Sequence, residues 1–404
     1  MTGIIGIILL LGIAFALSAK RSAINWRTIG GAFALQVGIA LFILYVPIGV
    51  TALLAVTEFV ASVIAFADQG INFVFGAVGN KSLGFIFAFN VLPVIIFFSS
   101  LIAVLYHLGV MKWVISIIGG ALQKLLGTSK PESMSAAANI FVGQTEAPLV
   151  VRPFIPKMTQ SELFAIMVGG LASIAGSIMA GYAGIGVELK YLLAASFMAA
   201  PAGLLMAKIM LPETETPNND LEVAQEQTDD SSYANVFDAA ASGASAGLQL
   251  ALNVGAMLLA FVALIALLNG LIGWIGGVFG QDNITFEYLL GLVLAPLAWA
   301  IGVDWSEAQL AGSFIGQKIV VNEFVAYLSF IDAADQLSEK SQAIITFALC
   351  GFANFSSIAI LMGGIGAMAP NRRKDIARLG LKAVCAATLA NLMSAALAGI
   401  FLSF

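Results

Sequence analysis

Charge is scarce in this chain: Asp, Glu, Lys and Arg make up 10% of its 404 residues, against 60% hydrophobic. A water-soluble globular chain carries about 25% charged residues, so there is too little polar side chain to cover a water-facing surface. No Lys/Arg run offers a face for nucleic acid, and the formal net charge of −5 names no partner. His107 is the only histidine, and the two cysteines, Cys350 and Cys385, sit inside apolar segments. They read as small packing residues rather than a disulfide framework. No His/Cys/carboxylate cluster has metal-ligand spacing. A Gly-x4-Gly-Lys-Ser/Thr loop is missing, which removes the usual phosphate cradle of an ATP-driven pump. Gly243-Ala244-Ser245-Ala246-Gly247 matches the Gly-x-Ser-x-Gly nucleophile pattern, but it opens an apolar helix instead of a strand–turn–helix, and no histidine follows it.

What the chain has is long apolar runs, with a mean hydropathy of +0.98. Runs of about 20 residues match the hydrocarbon thickness of a bilayer. They read as helices, because lipid leaves backbone polar groups no other partner, and the alternation of a β-barrel is absent. Eight crossings are expected: Gly3–Ser18, Ile29–Ile48, Gly84–His107, Glu162–Ala180, Tyr191–Met210, Gly247–Leu268, Ala343–Met362 and Leu379–Leu402. The run from Gly3 reads as a first helix, not a cleaved leader. Thr51–Val78 is apolar but interrupted by Glu58, Asp68 and Gly70, and reads as an interfacial helix. Met111–Leu126 is short and amphipathic, with Lys112 and Lys124 on its polar side. Lys20, Arg21 and Arg27 crowd the first loop, and Arg372, Arg373, Lys374 and Arg378 the last. The positive-inside rule puts both loops in the cytoplasm and both termini outside. The expected location is the bacterial inner membrane. Pro212–Asp238 is the one hydrophilic linker, acidic and cytoplasmic.

The most informative feature is an internal echo. Gly170-Leu171-Ala172-Ser173 interrupts an apolar helix in the first half, and Gly351-Phe352-Ala353-Asn354 does so in the second. Each is preceded by an apolar stretch with a glutamate: Asn139–Ile155 holds Gly143-Gln144-Thr145-Glu146-Ala147-Pro148, and Ala311–Phe330 holds Asn322-Glu323-Phe324. Each half therefore reads as a hairpin, a broken helix and a second helix. Matching interrupted segments in two halves point to a transporter site. The first hairpin follows a cytoplasmic loop and the second an external one, so the repeats are inverted. The expected division is 1–130 for scaffold helices with the interfacial helix, 131–211 for the first transport repeat, and 212–238 for the linker. A scaffold helix and its following segment take 239–303, and the second transport repeat takes 304–404.

A carboxylate at bilayer depth is costly and usually faces a wet cavity. Hairpin tips set against broken helices would gather Gln144, Thr145, Glu146, Glu323, Asn354 and Ser357 around one polar pocket. Amides, hydroxyls and two carboxylates suit a neutral ligand rich in NH and OH groups. They suit a phosphorylated anion poorly, since no Arg or Lys cluster converges there. Asn139 and Ser173 add neutral oxygens near freed carbonyls at Val142 and Ile174, a set able to hold Na+.

With these residues in view, the chain resembles the concentrative nucleoside transporters, especially the bacterial members. The likeness runs over nearly the whole chain. Its most specific pieces are Gly143-Gln144-Thr145-Glu146-Ala147-Pro148, Asn322-Glu323-Phe324-Val325-Ala326-Tyr327 and Gly351-Phe352-Ala353-Asn354-Phe355-Ser356-Ser357. The resemblance implies an all-α polytopic membrane protein with eight transmembrane helices and two re-entrant hairpins per protomer. It also implies a homotrimer of elevator-type carriers and no catalytic residues. It assigns Gln144, Thr145 and Glu146 to the nucleobase, with Ile178 packed on it, and Glu323, Asn354 and Ser357 to the ribose, with Phe352 nearby. Leu250 would close the pocket from the scaffold. A Na+ site would use the side chains of Asn139 and Ser173 and the carbonyls of Val142 and Ile174. The implied partners are nucleosides such as uridine and the lipid bilayer, with no nucleic acid and no organic cofactor. Proton coupling, free nucleobases or another small polar solute, a passive channel and a membrane-embedded enzyme stay open at this stage.

Overall fold

The computed structural model describes residues 2–80, 84–217, 233–278 and 284–403, and its regular elements are helices. The chain opens with α1 (Thr2–Ala16), α2 (Trp26–Leu44) and α3 (Pro47–Phe75). Asn25 starts α2 by accepting hydrogen bonds from the N–H groups of Arg27 and Thr28. Pro47 opens α3 in the first turn, where its missing N–H is no loss. The short α4 (Phe87–Asn90) and α5 (Leu92–His107) lead to α6 (Val110–Leu126). α6 buries Met111, Ile115, Gly119, Leu122 and Leu126, a single face at helical spacing, as expected of an amphipathic helix.

The rest of the first half is α7 (Lys130–Ala138), a tight return segment over Ala147–Lys157, α8 (Gln160–Ala172), α9 (Gly176–Gly184) and α10 (Leu189–Met210). The second half is α11 (Val236–Val278), α12 (Phe286–Ala300), α13 (Trp305–Val320), α14 (Glu323–Asp332), α15 (Glu339–Leu349), α16 (Ser356–Met368) and α17 (Arg373–Phe401). α8, α10 and α17 are buried on almost every side and form the centre of the molecule, whereas α3 and α11 expose most of their apolar surface. An outward-facing apolar surface of this extent belongs to a multi-pass membrane protein.

The crossings differ from the sequence expectation in three places. Thr51–Val78, read as an interfacial helix interrupted at Glu58, Asp68 and Gly70, is helical without interruption over Pro47–Phe75 and has the length and apolar composition of a span. Glu58, Asp68 and Gly70 do not break it, because a helix interior tolerates each at modest cost and all three face outward. Gly247–Leu268 is the middle of the 43-residue α11. The Ala/Gly/Ser stretch before it has weak hydropathy, and it packs closely on α5. A Cβ at Gly247 would lie 2.7 Å from Ser99 Cβ, and one at Gly243 2.8 Å from Ser100 Cα. The Gly243–Gly247 pattern is therefore a close helix contact. Thirdly, α1, at 15 residues, and α16, at 13, are short for a full crossing. Among the described residues seven helices have spanning length and composition, and the α12–α13 pair adds an eighth only if its 116° bend is counted as one span. Most of the expected acidic linker, residues 218–232, lies outside the described residues.

The two basic loops meet at one end of the bundle. The N–H of Ala19 donates to the carbonyl of Met210 (2.9 Å), and Ser161 Oγ donates to Leu211 O (2.7 Å). Beside them, Arg378 reaches Gln160 (3.2 Å) and Asn371 reaches Pro156 O (3.2 Å). Gly3 packs on Ile400, so the two chain ends share the opposite side.

Candidate functional site

Each half contains a broken helix, preceded by a glutamate-bearing stretch whose two arms pack on each other. α7 starts at a capping box in which Ser129 N–H donates to Glu132 Oε1 (2.7 Å). Past the tip, Pro148 opens the return segment, and Pro153 and Pro156 inside it hold it to a 3-10 path, since each removes a helical N–H. In the second half α13 and α14 fold back on each other. Asn322 caps α14 by accepting from Val325 N–H (2.9 Å), which fixes Glu323 at the first helical position.

The first break is short. α8 stops at Ala172, Ser173 is extended at φ −113° and ψ 173°, and α9 resumes at Gly176. Ser173 Oγ donates back to Gly169 O (3.0 Å), closing the last turn of α8. The second break runs from Cys350 to Phe355, and Asn354 ends it. Asn354 Oδ1 accepts from Ser357 N–H (2.9 Å) and Ser356 Oγ (2.7 Å), which starts α16. The two breaks touch directly, Phe352 N–H donating to Ser173 O (3.2 Å).

Tips and breaks enclose a cavity of about 470 Å³, within the usual range for small-ligand pockets. All nine residues singled out by sequence line it: Gln144, Thr145, Glu146, Ile178, Leu250, Glu323, Phe352, Asn354 and Ser357. Neither Lys nor Arg is among the lining residues. One side carries the first hairpin tip. Gln144 donates to Ser357 Oγ (3.3 Å), and its Oε1 is buried without a partner. Thr145 rests on Gly364, where a Cβ would come within 2.8 Å of its methyl. The other side carries Glu323, 6% exposed, whose Oε1 accepts from Tyr182 OH and Oε2 from Asn354 Nδ2, both at 2.9 Å. Each carboxylate oxygen keeps a lone pair for a further donor. Glu146 differs: its side chain is exposed, and among the described residues it makes no hydrogen bond or ion pair. It also lines a second cavity of about 520 Å³ that shares Thr145, Leu250 and Asn253 with the first and extends to Tyr106, His107 and Lys112.

The four residues expected to hold a cation lie at the first tip and break. Asn139, 1% exposed, ends α7, and neither its Oδ1 nor its Nδ2 has a hydrogen-bond partner. A buried amide left unpaired is costly, and it fits a ligand that supplies the missing partner. Asn139 Nδ2 sits 3.1 Å from where a Cβ at Gly169 would be, and Ser173 Oγ is bonded to the carbonyl of that same glycine. Because Ser173 gives its proton to Gly169 O, its lone pairs stay open. Val142 and Ile174 are buried outside any helix, with carbonyls free of helical bonding. Neutral oxygens of this kind suit Na+.

Sequence reasoning missed three contributors. Tyr182 was not singled out, although an aromatic hydroxyl in a Gly/Ala-rich helix is itself a polar signal. Asn253 lines both cavities from α11, and Gln249 donates to its Oδ1 (3.1 Å); a polar pair four residues apart in an apolar helix could have marked it. Asn391, behind the breaks, carried no motif at all.

Comparison with known proteins now bears on the whole chain. Residues 5–78 match the family described as Na+ dependent nucleoside transporter N-terminus, 88–188 the family described as nucleoside recognition, and 191–399 that described as Na+ dependent nucleoside transporter C-terminus. An uncharacterized transporter of Haemophilus influenzae is 62% identical, with 100% of this chain and 98% of that one aligned. The nucleoside permease NupC of Helicobacter pylori is 50% identical, with 99% and 97% aligned. The solved structure of CNTnw in an inward-facing substrate-bound state is 57% identical, covers 100% of this chain and 97% of its own, and superposes with a TM-score of 0.95.

Proposed function

Because the chain belongs to the concentrative nucleoside transporters, a family of multi-pass membrane carriers, we propose that it is a symporter importing nucleosides such as uridine across the bacterial inner membrane. Na+ is the coupling ion and no organic cofactor takes part. The observation that carries this reading is the convergence of both hairpin tips and both helix breaks on one cavity lined by amides, hydroxyls and two carboxylates, without Lys or Arg. Gln144, Thr145 and Glu146 bond the nucleobase, which packs on Ile178. Glu323, Asn354 and Ser357 take the ribose hydroxyls beside Phe352, and Leu250 closes the pocket from the scaffold. Catalysis has no role here, so the nucleoside arrives chemically unchanged. The hairpins re-enter the membrane, and the two repeats slide as an elevator against the scaffold of a homotrimer.

Asn139 and Ser173, with the carbonyls of Val142 and Ile174, hold Na+ next to the Gln144–Glu146 tip. An ion that orders the tip tightens nucleoside binding, and by linkage the nucleoside tightens Na+ binding by the same factor, typically about 1–3 kcal/mol. The test is uptake of labelled uridine into proteoliposomes with Na+ and proton gradients imposed separately, with unlabelled adenosine and uracil as competitors. Uptake should follow Na+, internal uridine should be unaltered, and Asn139→Ala should move the Na+ dependence to higher concentration. Uptake driven by a pH gradient alone, with uridine affinity equal in choline and Na+ buffer, would show the coupling ion to be H+.

A further inference from the structure

Lys318 takes no part in lining the cavity, yet it is 1% exposed and lies in the last turn of α13. Its Nζ donates to Ala348 O (2.8 Å) and to Asn391 Oδ1 (2.6 Å). Asn391, 3% exposed, donates in turn to Ala172 O (2.7 Å) and to Cys350 O (2.9 Å). Ala172 and Ala348 sit in the last turns of the helices that run into the two breaks. Those carbonyls carry the negative end of each helix dipole, and every group that Lys318 touches is an acceptor.

The two halves resolve the same problem in different ways. In the first, the arm of the hairpin ends on an amide, Asn139, that faces the last turn before the break with both polar atoms unpaired. In the second, the arm ends on an ammonium that faces the last turn before the break and finds its acceptors in place. Among the described residues every buried side-chain polar atom lacking a partner lies at or before Ser196, and none lies in the second half. Beside its break the first half thus presents an open amide where the second presents an ammonium; the buried ammonium of the first half, Lys208, is paired with Glu132 (2.6 Å) at the opposite end of α7 from Asn139.

We propose that the Lys318 ammonium is a tethered internal cation, filling in the second repeat the place that the coupling ion takes in the first. The proposal rests on the Na+ symport reading. It makes Lys318 a positioning residue: the charge holds α13, the end of α15 and, through Asn391, the end of α8 in the arrangement that sets Glu323 opposite Gln144. It also limits the carrier to one exchangeable ion, since the second locus is occupied by covalently held charge.

The test removes the ammonium and asks whether an external ion takes its place, read by thermal unfolding of the purified full-length protein in choline and in saturating Na+ buffer. Asn139→Ala should lose the Na+-dependent rise in Tm. In Asn139→Ala/Lys318→Ala the vacated acceptors should restore it, with a rise of at least about 2 °C. A folded double variant that ignores Na+ would overturn the proposal while leaving symport intact. A full Na+ response in Asn139→Ala alone would instead dislodge the ion assignment, and the symmetry argument with it. Should the double variant not fold, dual-isotope flux through the wild-type protein decides: about one Na+ per uridine supports the tethered cation, and two per uridine overturns it.

Discussion

At the scale of single residues, Glu323 carries the sharpest consequence. Its two oxygens are oriented by Tyr182 and Asn354, so the carboxylate is held still before any ligand arrives. A hydroxyl bonded to a charged acceptor contributes about 1.5–3 kcal/mol. Gln at this position can still accept from Asn354 and donate to Tyr182, which preserves the local frame while removing the charge. Glu323→Gln should therefore weaken uridine binding by at least about tenfold, at 1.4 kcal/mol per decade. Binding of a 2′,3′-dideoxynucleoside should change much less, because it lacks the hydroxyls. Calorimetric titration of both ligands checks this, and equal losses would sink the ribose assignment. Glu323 and Gln144 were legible in the sequence because an ionisable or amide side chain stands out in an apolar run. Tyr182 and Asn391 were not, because their importance lies in which distant atoms they reach: Tyr182 meets Glu323 across 141 residues of chain, and Asn391 meets Ala172 across 219.

At the scale of elements, the informative contact is that of α5 with α11. Their backbones approach closely because Gly243 and Gly247 have no side chain; a Cβ at Gly247 would stand 2.8 Å from Ile96 Cα. Backbone atoms cannot swing aside, so Gly247→Leu must part the helices or bend one. Overpacking of this kind costs about 1–3 kcal/mol and should lower the Tm of the purified protein by several degrees. Gly270 lies on the same helix with nothing within 4 Å of its Cβ position. Gly270→Leu should change stability by less than about 0.5 kcal/mol, as thermal unfolding of the two variants side by side would reveal. Leu is the better helix former, so an equal loss at both positions would mean that the α5 contact does not set the cost.

At the scale of the whole molecule, the hydrogen bonds that gather Ala19, Met210, Gln160 and Arg378 bring the Lys20–Arg27 and Arg372–Arg378 loops to one face. With two basic loops on the same face, the positive-inside rule predicts that this face lies in the cytoplasm. Single cysteines placed in each loop, in a Cys350→Ala/Cys385→Ala background, should resist an impermeant thiol reagent on intact cells and react once the cells are opened. A cysteine beside Thr2 should react from outside. Labelling of the Arg372–Arg378 loop in intact cells would invert the topology.

The sequence by itself determined that this chain lives in lipid, that its two halves echo each other, and that the polar residues of the glutamate-bearing stretches and breaks line one cavity. Each of these follows from local chemistry: hydropathy counts side chains, and a polar residue in an apolar run is conspicuous wherever the run goes. Tertiary structure decided the rest. It ran α3 unbroken through Glu58 and Asp68 and extended α11 over a stretch that packs closely on α5. It also tied Lys318 to the ends of helices in both halves through Asn391. The physical reason is the same in each case: a helix end, a close backbone approach or a buried ammonium is stabilised by a partner distant in the chain. No local pattern encodes which partner that is.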